Sequence, residues 1–170
     1  MVKYRIVPAS SRLWAEARSS LHPIRAETDG LEGYIEADMP EGRPNLAVTP
    51  KAQIQIESAR LKTGNPLYDS ELSRRLEVRK YPRIRGTVRE VKELGAGNRY
   101  HVRGDLSFHG VTRTIEGDIT LRIVNDRTIE IEGEKVIDIR DFGLEPPRLL
   151  MLKVYPEVRI RGRVRAERED

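Results

Sequence analysis

The stretch Tyr100–Ile123, YHVRGDLSFHGVTRTIEGDITLRI, decides the fold class. Tyr100, Val102, Gly104, Leu106 and Phe108 alternate with His101, Arg103, Asp105, Ser107 and His109. After Gly110-Val111-Thr112-Arg113, read as a hairpin turn, alternation resumes. Ile115, Gly117, Ile119, Leu121 and Ile123 share one face, and Glu116, Asp118, Thr120 and Arg122 the other. Period two is the signature of a half-buried strand, because successive side chains point to opposite faces of a sheet.

The pattern spreads outward from there. Asn125-Asp126 reads as a turn, Ile129 and Ile131 open a third strand, and Ile137 and Ile139 continue that region. In the last strand Val158, Ile160, Gly162, Val164 and Ala166 oppose Arg159, Arg161, Arg163 and Arg165. Upstream, Leu13, Ala15 and Ala17 alternate with Arg12, Trp14, Glu16 and Arg18. Gly33 to Asp38, Ala52 to Ala59 and a strand marked by Ile84, Gly86 and Val88 complete a count of about eight. One short helix is expected from Tyr68 to Lys80, capped by Asp69 and ended by Tyr81-Pro82, since Pro disfavours helix in the residue before it. Many short alternating strands joined by turns predict an all-β single domain, sandwich or barrel.

Composition narrows the function. The 170 residues carry 31 Lys and Arg against 27 Asp and Glu, a formal charge of only +4. With no cysteine, thiol catalysis, disulfides and thiolate metal sites are excluded. His101 and His109, eight residues apart on one strand, would lie about 27 Å apart and cannot share a metal. No metal or cofactor is expected. Asp69 with Glu71, and Asp138 with Asp141, read as capping and turn residues; the serines have no base in reach. Aromatic residues are few and stand apart from the Arg, which argues against a specific nucleic-acid partner. No apolar run approaches the roughly 18 residues of a membrane span, and no leader's apolar core follows Met1. The expectation is a cytoplasmic protein, with a homodimer possible.

Four segments carry a resemblance. YHVRGDLSFHGVTRTI (100–115) resembles the G-D-L-x-x-x-G-V-T-R hairpin of YceI-like proteins. Ser58 to Asn65, followed by Asp69 and Leu72, is similar to that family's S-x-x-T-G-N…D-x-x-L segment. Lys80 to Ile84 is similar to its K-Y-P-x-I strand entry, and Asp141 to Leu144 to its D-F-G-L turn. The match runs from about Ser11 to Ala166. It implies an extended, antiparallel, lipocalin-like β-barrel of about eight strands that is not an enzyme. It further implies a long apolar amphiphile inside, a polyisoprenoid or prenyl-chain quinone. Two positions depart. Gly86 stands where the family carries an aromatic residue, and Ile139 where it carries an Arg, with Arg140 one place along.

The candidate ligand-binding residues are those sharing the inward face: Leu13, Ala15, Ile54, Ile56, Ile84, Gly86, Val102, Leu106, Phe108, Ile119, Leu121, Ile137, Val158 and Ile160. Their small members, with Gly104, Gly117 and Gly162, leave volume that is either a ligand site or absorbed by close strand approach. The alternative function is a filled barrel acting as an interaction protein. Its Arg159–Arg165 stripe, with guanidinium groups roughly 7 Å apart, would then meet an anionic partner. The competing reading of the stripe is a solvated face paired with acids such as Glu116 and Asp118 on a neighbouring strand.

Overall fold

In the computed structural model, which describes residues 1–95 and 97–170, the alternating segments form one antiparallel sheet that curls until its ends meet. At its centre β7 (Arg99–Phe108) and β8 (Val111–Ile123) run together from Arg99↔Thr120 to Phe108↔Val111. Their turn is His109-Gly110, with φ of 53° and 75°, the left-handed pair that matches strand twist in a two-residue hairpin. The turn therefore sits earlier than Gly110–Arg113, and Val111, Thr112 and Arg113 belong to the strand.

From β7 the sheet continues through β6 (Arg83–Glu93), β5 (Lys51–Glu57), β4 (Glu32–Ala37) and β1 (Val2–Ile6). From β8 it continues through β9 (Thr128–Asp138) to β11 (Leu152–Arg168). The end of β11 pairs with β1 through Tyr4↔Arg168 and Ile6↔Ala166, closing a ring of eight strands. The first part of β11 pairs instead with β2 (Arg12–Ser19), and β2 with β3 (Ile24–Thr28). An isolated bridge, Glu27↔Lys62, ties β3 to the segment after β5. The two-residue β10 (Arg148–Leu149) makes a hairpin with β11. The ring thus has the expected eight strands, and β2, β3 and β10 are added to it. Of all the strands β1, β3 and β10 are too short to announce themselves by alternation alone.

The ladder between β8 and β9 is incomplete. β8 and β9 pair from Ile123↔Ile129 to Ile119↔Gly133 and then separate. Past the end of β9, Arg113 Nε of β8 donates to the Asp141 carbonyl at 2.9 Å. Among the described residues the facing edges between these points, 114–118 and 134–138, have no mutual pairing.

The helix α1 (Pro66–Leu76) lies earlier than expected. Asn65, not Asp69, caps it, its side chain accepting from the Leu67 and Tyr68 amides at 3.0 and 3.3 Å. Asp69 is drawn to Thr63, accepting from its amide and its hydroxyl at 2.6 and 2.7 Å. Glu77, in the left-handed region at φ 50°, ends the helix before Tyr81-Pro82 is reached. Apolar clusters line the barrel along its length. Tyr4, Ile129 and Ala166 lie at one end, Ile6, Leu31 and Ile56 in the middle, and Ala17, Leu149 and Val154 towards the other end. There α1 and the late turn add Leu76, Ile139 and Leu144.

Candidate functional site: the barrel lumen

The interior is not filled. Three apolar cavity segments of about 220, 370 and 100 Å³ follow one another along the barrel. The first two share Leu13, Ile54, Gly86, Leu106 and Ile160 as walls. The second and third share Ile35, Ala52, Val88, Val102, Ile119 and Ile131. Every inward candidate from the sequence faces this lumen. Leu13, Ala15, Ile54, Ile56, Ile84, Gly86, Leu106, Phe108, Ile137, Val158 and Ile160 line the segment beside α1. Val102 and Ile119 line the middle segment and, with Leu121, the far one.

Other lining residues escaped the sequence reading. Leu72, Arg75 and Leu76 come from α1, Leu144 and Pro147 from the late turn, and Leu149 from β10. Met39, Pro44, Leu46 and Pro50 come from the loop across the far end. These are helix, loop and two-residue-strand positions, which period two does not reach. Lys135 was legible, since it falls in the series Ile131, Gly133, Lys135, Ile137. It pairs with inward Ile160, and its stem lies over Gly117, where a Cβ would sit 3.6 Å from its Cδ. It stands at the gap between β8 and β9, and among the described residues it makes no ion pair.

The inward glycines divide between the two readings. A Cβ on Gly162 would meet nothing within 4 Å, and one on Gly86 would touch Ile54 Cγ2 at 3.4 Å. Both leave lumen volume open. A Cβ on Gly104 would fall 2.4 Å from the Thr87 carbonyl oxygen. That close approach belongs to the register shift of β6 between Val88 and Glu90. At the second departure from the family pattern Ile139 is buried against the lumen, while Arg140 turns out to Asp138 at 2.7 Å.

A larger concavity, about 790 Å³, lies on the outer wall over β2 and β3. Its charges largely neutralise one another, Arg12 with Glu27 and Arg60 with Asp29, each at 3.0 Å. An open, wet, self-paired surface offers a ligand little binding energy, so the smaller apolar lumen is the better site.

The Arg stripe is also self-paired, with partners other than those expected. β11 sits between β9 and β2, not beside β8, so Glu116 and Asp118 are out of reach. Arg159 meets Glu134 at 3.0 Å, Arg163 meets Glu132 at 3.4 Å, and Arg165 meets Glu130 at 3.2 Å. Arg161 stacks on Trp14 on the outer wall, 4.5 Å from the ring centroid. Glu130, only 6% exposed, also accepts from Arg122 at 2.6 Å. That hydrogen bond, with the charges of Arg122, Arg163 and Arg165, holds its carboxyl below the usual glutamate range.

Glu116 and Asp118 instead flank His101. Hydrogen bonding to Asp118 first, then to Glu116, raises the His101 pKa. His109, expected on an exposed strand face, occupies the turn. It contacts Glu77 at 2.8 Å and packs on Tyr81 with ring centroids 4.8 Å apart. Asp138 caps the turn at Arg140. Among the described residues no group of three His, Cys, Asp or Glu side chains could hold a metal ion.

The sequence matches the family model for the YceI-like domain over residues 4–166. The chain belongs to the YceI-like family. No curated protein matches it in sequence. Among solved structures, BcnA of Burkholderia cenocepacia superposes with a TM-score of 0.80 at 19% identity, covering 94% of this chain and 98% of that one. A polyisoprenoid-binding domain from Saccharophagus degradans, implicated in plant cell wall breakdown, gives 0.77 at 17% identity, covering 99% and 100%. The YceI protein of Campylobacter jejuni gives 0.70 at 18% identity, covering 86% of each chain. This YceI-like chain therefore shares their closed antiparallel barrel, with its extra strands and one helix.

Proposed function

We propose that this YceI-like protein binds and carries a long apolar amphiphile, a polyisoprenoid or prenyl-chain quinone, along its lumen, and catalyses no reaction. The continuity of three apolar cavity segments through shared aliphatic walls carries the reading. A linear chain fits a sequence of narrow segments, whereas a compact ligand would occupy one. Each CH₂ taken from water contributes about 0.8 kcal/mol, so chain length dominates affinity. Lys135, the cation at the gap between β8 and β9, offers the ligand's polar end a hydrogen-bond donor. The likeness to a domain named for binding polyisoprenoid supports the same ligand class. The alternative of a filled barrel using its basic strand on an anionic partner loses its main support, because those arginines already have partners.

The test is native mass spectrometry and organic extraction of the purified protein, with Gly86→Phe alongside. The parent should release a long-chain lipid. Gly86→Phe, which places a ring at the junction of two cavity segments, should retain much less at an unchanged fold. A parent that never holds an apolar chain, even when offered one, would overturn the proposal.

A further inference from the structure

The hairpin between β10 and β11 breaks a rule of turn chemistry. Its two turn residues are Leu150 and Met151, where a two-residue turn calls for Gly, Asn or Asp. Leu150 is held at φ 59°, a conformation unfavourable for a bulky side chain. The flanking pair Leu149↔Leu152 is buried, so the hairpin is anchored, while Leu150 is 61% and Met151 96% exposed. Burial cannot explain either residue, and a strained, exposed apolar tip points to a contact outside the chain.

The neighbouring loop repeats the pattern. Ser20 donates its amide to the Lys153 carbonyl at 2.9 Å, and Lys153 donates its own to Ser20 Oγ at 3.2 Å. This clamps the β2–β3 loop to the hairpin and sets out Leu21, 79% exposed. Two cations flank the tip, Arg148 and Lys153, both exposed. Among the described residues neither has a carboxylate within 4 Å, and Lys153 Nζ lies over the exposed Tyr155 ring, 5.8 Å from its centroid. No acidic residue lies within 148–153 or 19–23. The same elements bound the lumen, since Ile24, Pro147, Leu149 and Val154 line its segment beside α1.

We propose that this end of the barrel is a membrane-docking tip. Leu21, Leu150 and Met151 enter the interface of a bilayer containing anionic lipid, and Arg148 and Lys153 contact its headgroups. Apolar side chains beside cations that have no carboxylate partner fit that surface better than a second copy of the chain, which would bring like charges together. The inference stands apart from what fills the lumen, because it rests on outward-facing groups.

The experiment is sedimentation of the full chain with phosphatidylcholine vesicles, with and without phosphatidylglycerol. The parent should bind the anionic vesicles. Leu150→Asp/Met151→Asp and, separately, Arg148→Glu/Lys153→Glu should each weaken that binding about tenfold or more, with melting temperatures close to the parent's. In Met151→Trp, the added indole should shift its emission to shorter wavelength on vesicle addition. A parent that stays in the supernatant, or variants that sediment like it, would overturn the proposal. So would a concentration-dependent dimer lost in the Leu150→Asp/Met151→Asp variant without any vesicle binding.

Discussion

At the scale of single residues, neighbours decide what a small side chain means. Gly104→Ala should cost about 2 kcal/mol, because its methyl meets a carbonyl that the β6 bulge holds in place. Gly162→Ala should stay within about 0.5 kcal/mol, because its methyl enters open lumen. Urea unfolding midpoints of the two variants test this, and equal losses would show that Gly162 is also a packing glycine. Leu106→Arg, placing a charge on the lumen wall, should lose several kcal/mol. Arg161→Ala gives up only an exposed stacking contact with Trp14, about 0.5–1 kcal/mol. The facing of these residues was legible because the period of two has no slack; a shift of one would invert every position. The difference between Gly104 and Gly162 was not, because it depends on a bulge in the partner strand.

At the scale of elements, two sets of contacts fix strand order and helix start. Glu130 on β9 gathers Arg122 from β8 and Arg163 and Arg165 from β11. Its carboxyl is depressed in the folded state, so its stabilising contribution is present above the ordinary glutamate value of 4.5. It is lost as pH falls through the lower folded value. Between pH 4.5 and that lower value the unfolding midpoint should therefore fall less steeply with acid for Glu130→Gln than for the parent, and parallel curves would rule the linkage out. Asn65→Ala should cost about 1 kcal/mol through the lost helix cap. The helix itself was legible, but its start was not, since Asp69 looked like a cap until Thr63 claimed it. The Arg stripe was legible as a solvated, paired face, while its partners needed the strand order.

At the scale of the whole molecule, a closed wall with an open interior has a thermodynamic consequence. An apolar cavity forfeits dispersion contacts along its lining, and a ligand that binds only the folded state restores them. Stripping the protein by organic extraction and refolding should therefore lower its melting temperature, and adding back a long isoprenoid should raise it. At a free ligand level a hundredfold above Kd the linkage amounts to about 2.7 kcal/mol. For a chain of this size that corresponds to roughly 5–10 °C. The rise should grow with the number of isoprene units until the chain spans all three segments, then level off, because further units remain in water. Differential scanning calorimetry across a series of chain lengths reads this directly. A rise independent of length would place the binding energy in the headgroup, near Lys135, and the absence of any rise would mean that no chain occupies the lumen.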